Sequence, residues 1–194
     1  YGCLVGSEMC IRDSDDTEDE IKSKENKTDV ILVDKNFKYS HIYSYHLDED
    51  TVTKVTSGNY SVNSFDYSPN GKKIIFSHQE DTNINTGFIN TDISVIDSDG
   101  KNLKILVDRP GRDGNPIFSG DGSKFAFISS GGKQESIGLG DVFVYDLKND
   151  EIKKLANTFN RSSNIISWTS DDENLIISES VKTTGQWLLL PTNG

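Results

Sequence analysis

The chain has 194 residues, 26% of them charged and 34% hydrophobic, with a formal net charge of −11 at pH 7. An acidic surface repels phosphate backbones, so this charge argues against nucleic acid as a partner. No apolar run approaches the roughly 20 residues that a membrane-spanning helix needs, so the sequence predicts no transmembrane segment.

The first fourteen residues differ from the rest of the chain. Residues 3–14 (CLVGSEMCIRDS) resemble the translation of one reading frame of a common transposase sequencing adapter. We therefore expect residues 1–14 to be an adapter artefact, and the fold prediction leaves them out because non-native segments carry no information about the natural fold. The alternative is a short signal peptide, but no basic residue precedes the apolar ones. Both cysteines, Cys3 and Cys10, lie in this segment, so cysteine counting indicates no disulfide or metal site elsewhere.

Residues 15–29 are rich in Asp, Glu, Lys and Asn, and Ile21 is their one bulky apolar residue. Such a composition buries too little apolar surface to fold alone, which predicts a polar linker or a frayed first strand. From Val30 onward, short apolar runs alternate with turn residues, and no helical period extends beyond a turn or two. The sequence therefore predicts an all-β domain over residues 30–194.

One phrase occurs three times in this region, as a bulky residue, a short polar turn and an apolar strand. The copies are FDYSPNGKKIIFS from Phe65, IFSGDGSKFAFIS from Ile117 and ISWTSDDENLIIS from Ile166. The turn residue Gly122 lies 51 residues after Gly71, and Asp172 lies 50 residues after Gly122. A period near 50 residues predicts a repeat architecture.

Each repeat unit contains up to four predicted strands, named a to d in chain order. The unit boundaries fall at about 30–58, 59–109, 110–159 and 160–194, and the predicted strands are 30–33, 41–47 and 51–56 in the first unit; 64–67, 73–77, 92–96 and 103–107 in the second; 116–118, 124–128, 141–146 and 151–155 in the third; and 165–168, 174–178 and 186–190 in the fourth. Asn70-Gly71 and Asp99-Gly100 predict two-residue type I′ hairpins, because both central positions of that turn need positive φ.

Four-stranded antiparallel units with this period are typical of β-propeller blades. A propeller closes with about four to eight blades, whereas this chain supplies two nearly complete units and two partial ones. The chain begins without methionine and stops where a hairpin between strands c and d is expected. We therefore expect a partial β-propeller cut from a longer protein, with exposed edges that make residues 15–194 poorly soluble alone.

Five phrases stand at successive points of the repeat units: NTDISVID at 90–97, GRDGNP at 111–116, FSGDG at 118–122, FNRS at 159–162 and PTNG at 191–194. Together they resemble the blades of bacterial propellers in the prolyl oligopeptidase family, whose blade entry is usually written with a Trp-Ser-Pro-Asp-Gly core. The resemblance covers residues 30–194 and is closest to the dipeptidyl aminopeptidase and acylaminoacyl peptidase branch. The single-blade motif is shared with TolB-like propellers.

This resemblance implies a propeller joined to an α/β-hydrolase domain that carries a Ser-Asp-His triad. The propeller would act as a size filter that admits peptides and excludes folded proteins. The chain contains no Gly-x-Ser-x-Gly nucleophile elbow, so we expect it to carry no catalytic, cofactor-binding or metal-binding residues itself. Its expected partners are a hydrolase domain in the same protein and the peptide substrates. The alternatives are a non-enzymatic TolB-like propeller that binds proteins and, more weakly, a WD-repeat scaffold.

Three local patterns favour structural interpretations over binding sites. Residues 97–100 begin like an EF-hand, but Asn102 and Asp108 occupy the positions that need Gly and Glu, so a hairpin is favoured. Residues 119–122 resemble an Asp-box with its glycine one place too early, which also favours a turn. His41 and His46 are five residues apart, on opposite faces of a regular strand, which argues against a shared metal.

The long loops between strands b and c are the best candidates for recognition. They comprise residues 78–90 and the glycine-rich residues 131–140. Since successive antiparallel strands reverse direction, these loops and the connections between blades share one face of the propeller. We expect substrate recognition, or contact with a hydrolase domain, on that face. The alternative is that they are merely tolerated surface loops.

Overall fold

The computed structural model describes residues 7–13, 16–30, 38–135, 139–159 and 163–193. Its strands form four antiparallel sheets in chain order, which we call blades 1 to 4. Blade 1 contains β1 (Ser7–Asp13), β2 (Ser40–His46) and β3 (Thr51–Lys54); blade 2 contains β4 (Ser61–Tyr67), β5 (Lys73–Gln79), β6 (Asp92–Asp97) and β7 (Lys104–Val107); blade 3 contains β8 (Asp113–Phe118), β9 (Lys124–Ser129), β10 (Asp141–Asp146) and β11 (Glu151–Lys154); blade 4 contains β12 (Asn164–Trp168), β13 (Asn174–Val181) and β14 (Thr184–Pro191). The prediction of an all-β partial propeller built from antiparallel blades is confirmed.

The apolar cores lie between blades, and the second strands of blades 2 and 3, β5 and β9, bury both of their faces. In β9, Phe125 and Phe127 pack in a cluster with blade 2 residues such as Ile75. The alternating residues Ala126 and Ile128 pack in a different cluster with blade 4. Since successive side chains of a strand point to opposite faces, the run Phe-Ala-Phe-Ile joins three sheets.

The turn after the first strand of blade 2 is wider than predicted. Gly71 has a φ of 68°, and its N–H donates to the Ser68 carbonyl at 2.8 Å. The Ser68 hydroxyl accepts from the Lys73 N–H at 2.9 Å and lies 2.9 Å from the Asn70 side-chain oxygen. This is a type I turn followed by a left-handed residue, so the two-residue type I′ prediction is wrong.

The same hydroxyl network closes the corresponding turns of blades 3 and 4. Ser119 and Thr169 take the place of the serine, and their hydroxyls accept the Lys124 and Asn174 N–H groups at 3.0 and 3.1 Å. The left-handed positions are Gly122 and Asp172, with φ of 69° and 57°. The repeated phrase of the sequence is therefore a repeated turn, as predicted, although of another type.

The N-terminal part of the chain departs from the predictions. Ser7–Asp13, which the fold prediction left out, forms a strand that pairs with β2. Backbone pairing is independent of the origin of a segment, so the adapter origin stays a prediction. Glu18–Glu25 forms α1, not a linker or strand, because Thr17 and Glu20 make a capping box. Of the strand predicted over residues 30–33, Val30 lies outside any strand, and residues 31–33 lie outside the described residues.

Candidate functional site

The first strands of blades 2, 3 and 4, which are β4, β8 and β12, are linked by hydrogen bonds that involve side chains. We call them the inner strands. The Asp66 carboxylate accepts the Phe118 N–H at 2.8 Å, and the Trp168 indole donates to the Ile117 carbonyl at 3.0 Å. These bonds hold the inner strands side by side, although they belong to different sheets.

A cleft of about 260 Å³ opens where the inner strands begin. It lies on the side of the loops between the second and third strands, the face on which the sequence predicted recognition. We call it the asparagine cleft, because each inner strand contributes one asparagine to it. Its lining residues are Asn63, Ser77, Gly87, Thr91, Arg112, Gly114, Asn115, Ile128, Gly140, Ser163 and Asn164.

Irregular pairing of the inner strands accompanies the first two asparagines. Asn63 lies at a register shift between Val62 and Ser64. Asn115 lies at another shift in β8, and its φ of 51° is left-handed. Asparagine tolerates this conformation better than most residues, and bulges commonly redirect side chains near binding sites. The Asn115 N–H donates to the Ser64 hydroxyl at 3.2 Å, which fixes the bulge against blade 2.

Arg112 supplies the positive charge of the asparagine cleft. Its side chain is exposed and makes no ion pair with any residue that the structure describes. Its backbone is held firmly: the N–H donates to the Ser130 hydroxyl at 2.9 Å, and the carbonyl accepts the Ser130 N–H at 2.9 Å. Strand-like bridging to Thr91 fixes its other side.

Arg109 has the opposite environment, because it is built into the connection between blades 2 and 3. It donates to Asp113, whose side chain is 1% exposed, and to the Ser129 hydroxyl at 2.6 Å. Its guanidinium also lies 4.8 Å from the centre of the Phe143 ring. Arg109 therefore stabilises the structure beside the cleft, and Arg112 remains available to a ligand.

A second opening of about 530 Å³ adjoins the cleft at Asn164, which lines both. Glu179 lines this opening and is 3% exposed. One of its carboxylate oxygens accepts from the Ser163 hydroxyl at 2.5 Å, and the other, Oε2, has no hydrogen-bond partner among the residues that the structure describes. A buried acceptor without a partner is costly, and a ligand N–H would satisfy it.

His78 and Ser94 resemble a catalytic pair, with His78 Nε2 2.8 Å from the hydroxyl. Ser94 is 1% exposed within β6, so no substrate reaches it. Burial lowers the pKa of His78 to about 4. The facing residue Asp92 has its pKa raised to about 6, first by burial and then by the nearby Asp108, Asp113 and Glu80. This group is a structural feature of blade 2.

The histidines singled out by the sequence lie away from the asparagine cleft, whereas both long loops contribute a residue to it. His41 is buried, with Nδ1 3.2 Å from the Thr56 hydroxyl, and His46 ends β2. Among the described residues, no group of three His, Cys, Asp or Glu could hold a metal ion. The first long loop contains helix α2 (Ile84–Ile89), and Gly87 of this helix lines the cleft. Of the second loop, Gly140 lines the cleft, and residues 136–138 lie outside the described residues.

Sequence reasoning missed the three cleft asparagines, although each stands within three residues of a copy of the repeated phrase. That recurrence was the available signal. It also missed Arg112 and Glu179, since nothing local distinguishes an unpaired guanidinium or carboxylate from a paired one.

Comparison with known proteins identifies relatives of this chain. No protein-family model matches the chain. Dipeptidyl-peptidase 5 from Trichophyton equinum is 21% identical over 140 residues, which cover 66% of this chain and 19% of that protein. This chain is related to dipeptidyl-peptidase 5 proteins. The relationship is consistent with a propeller of a prolyl oligopeptidase-family protein, as the repeated phrases predicted.

Two solved structures agree on the fold. TolB from Acinetobacter baumannii matches with a TM-score of 0.60 and 20% identity, over 80% of this chain and 36% of that chain. Dipeptidyl peptidase 4 from Porphyromonas gingivalis matches with a TM-score of 0.50 and 13% identity, over 78% of this chain and 26% of that chain. None of the helices in the described part of the chain is long and apolar enough to cross a membrane.

Proposed function

We propose that this chain is the propeller part of a dipeptidyl-peptidase-like serine peptidase, in which it restricts access to an α/β-hydrolase domain of the same protein. The sequence relationship to dipeptidyl-peptidase 5 carries the proposal. Peptides would reach the hydrolase domain and folded proteins would be kept out. The chain itself would perform no catalysis and need no cofactor or metal.

The polar cleft at the loop face supports a role in contacting peptides. Its asparagines and its unpaired Arg112 offer hydrogen bonds without forming a catalytic group. The face also carries α2, a short helix that would lie at the entrance to the inner strands.

The test uses the protein with its natural downstream coding sequence. We expect a Gly-x-Ser-x-Gly motif there and release of dipeptides from peptide substrates, with rates that fall sharply once the substrate is folded. A variant that loosens the interface of blades 2 and 3, Phe127→Ala, should cleave larger substrates relative to small ones. Several hundred downstream residues without the motif would overturn the peptidase assignment.

A second candidate is a non-enzymatic propeller that binds protein partners, which the likeness of fold to TolB favours. This candidate requires a gene that ends soon after the last blade. Determining the complete coding sequence distinguishes the two functions.

A further inference from the structure

The side-chain amides of the three cleft asparagines have hydrogen-bonding groups that the fold leaves largely unused. Asn115 and Asn164 make no side-chain hydrogen bond with any described residue, and Asn63 makes one, from Nδ2 to Gln79 Oε1 at 3.3 Å. Asparagine is disfavoured in strands, yet three different inner strands each place one in the same cleft. An amide side chain has two donors and one acceptor oxygen, which match a peptide group.

The backbone around the cleft leaves room for an extended chain. Gly114 has no heavy atom nearer than 4.0 Å to the position of an added Cβ, so this position is open. In contrast, a Cβ on Gly87 would lie 2.4 Å from Gln79 Oε1, and one on Gly140 would lie 2.4 Å from Ile128 Cγ2. Gly87 and Gly140 therefore allow close packing against Gln79 and Ile128, whereas Gly114 lines open space.

The charged groups at the cleft and at the adjoining opening match two groups of a peptide, a carboxylate and a main-chain N–H. Arg112 is exposed and without an ion pair among the described residues, and a guanidinium binds a carboxylate through charge-assisted hydrogen bonds. Glu179, at the adjoining opening, has a buried Oε2 without a hydrogen-bond partner in the described part of the chain, and this oxygen needs a donor such as a main-chain N–H. Asn164 borders both spaces, so one ligand can contact both.

We infer that the asparagine cleft binds an extended peptide, with main-chain amides on Asn63, Asn115 and Asn164 and a carboxylate of the peptide on Arg112. This inference deepens the proposed function and rests on it for the choice of a peptide as ligand. It names the residues by which the propeller would contact its substrate or product.

The test is a titration of the isotope-labelled protein, produced with its natural downstream coding sequence, with acetylated tetra-alanine, in which NMR chemical shifts report binding. The same peptide with an amidated C-terminus is titrated in parallel. We expect shifts at the cleft residues and affinity roughly tenfold or more higher for the free acid, because a charge-assisted hydrogen bond is lost on amidation. Arg112→Gln should remove the difference between the two peptides.

Two further variants separate binding from folding. Gly114→Val fills the open position on a strand and should abolish binding of both peptides with an unchanged circular dichroism spectrum. Asn63→Ala and Asn164→Ala should each lower the affinity for both peptides several-fold, and by a similar factor for the two peptides. Asn59→Ala and Lys148→Gln, exposed residues outside the cleft, are the matched controls and should bind as the unaltered chain does.

Absence of binding, or binding unaffected by Gly114→Val, would overturn the inference. Equal affinity for the acid and the amide would overturn the role of Arg112. The readout is independent of hydrolysis, so a downstream sequence without a nucleophile elbow would overturn the proposed function and leave measured peptide binding intact.

Discussion

Arg109 donates hydrogen bonds to both carboxylate oxygens of Asp113, at 2.9 Å from Nη2 to Oδ1 and 3.2 Å from Nε to Oδ2. Arg109 follows the last strand of blade 2, and Asp113 begins the first strand of blade 3. The same guanidinium reaches Ser129 at the end of β9. One side chain thus joins the connection between two blades to the sheet that follows it, directly beside the exposed Arg112.

Removing one partner of this pair is expected to destabilise the fold strongly. Asp113→Ala leaves the half-buried guanidinium unpaired and should lower the free energy of unfolding by about 3–5 kcal/mol. Urea denaturation followed by tryptophan fluorescence measures the change. The control is Lys73→Ala, which breaks the exposed pair with Asp97 and should cost less than about 1 kcal/mol. Similar losses for both variants would contradict a structural role for Arg109.

Two glycines of blade 3 should respond oppositely to alanine. Gly122 has a φ of 69°, and an added Cβ would lie 3.2 Å from Pro69 Cδ. Gly122→Ala should therefore lower the free energy of unfolding by about 1–2 kcal/mol. Gly114→Ala meets open space at a φ that any residue adopts, so it should be neutral or stabilising by up to about 1 kcal/mol. Thermal unfolding of the two variants side by side tests the turn geometry, and a larger loss for Gly114→Ala would contradict it.

Phe127 is fully buried between blades 2 and 3, and its ring packs on Phe143 at a centroid distance of 5.6 Å. Phe127→Ala should lower the free energy of unfolding by about 3–5 kcal/mol, through lost burial and the cavity that remains. Ile152→Ala, at a position 40% exposed on β11, is the control and should change stability little. Chemical denaturation measures both, and a small effect of Phe127→Ala would show that the interface of these blades is not a packed core.

His78 and Asp92 should make opposite contributions to stability in mild acid. The pKa of His78 is lowered to about 4, so between pH 4 and 6.5 the unfolded chain binds its proton and the folded chain does not. This contribution makes stability fall as the pH falls. The pKa of Asp92 is raised to about 6, so between pH 3.8 and 6 the folded chain holds the proton. That contribution makes stability rise as the pH falls.

The two contributions nearly cancel between about pH 4 and 6, and single variants should separate them. In His78→Gln, only the Asp92 contribution remains, so the free energy of unfolding should increase as the pH falls. In Asp92→Asn, only the His78 contribution remains, so the free energy of unfolding should decrease as the pH falls. Each group contributes up to about 1.4 kcal/mol per pH unit. Urea denaturation at a series of pH values measures the slopes. Variants whose slopes change in the same direction would show that one of the two pKa values is not shifted as stated.

Local sequence patterns were sufficient for the blades and their repeat, because period-two alternation and turn residues act within a few positions. The run Phe125 to Ile128 already indicates a strand buried on both faces. The capping box of Thr17 and Glu20 is also visible in the sequence, but the charged composition of residues 15–29 and the single apolar Ile21 give no amphipathic pattern that would predict a helix there. The turn type was missed because the Ser68 hydroxyl, not the Asn-Gly pair alone, closes the loop.

The residue pattern alone is enough to predict a repeated β-sheet unit, and with it the face on which the long loops gather. That Asn63, Asn115 and Asn164 share one cleft follows from the packing of the blades, since these residues lie about fifty positions apart and meet only when three sheets pack side by side. The same packing sets which arginine is free. Arg109 and Arg112 are three positions apart in one loop, yet Asp113 pairs with the first and leaves the second exposed. Partner choice of this kind depends on distances between atoms of different strands, and no local pattern encodes it.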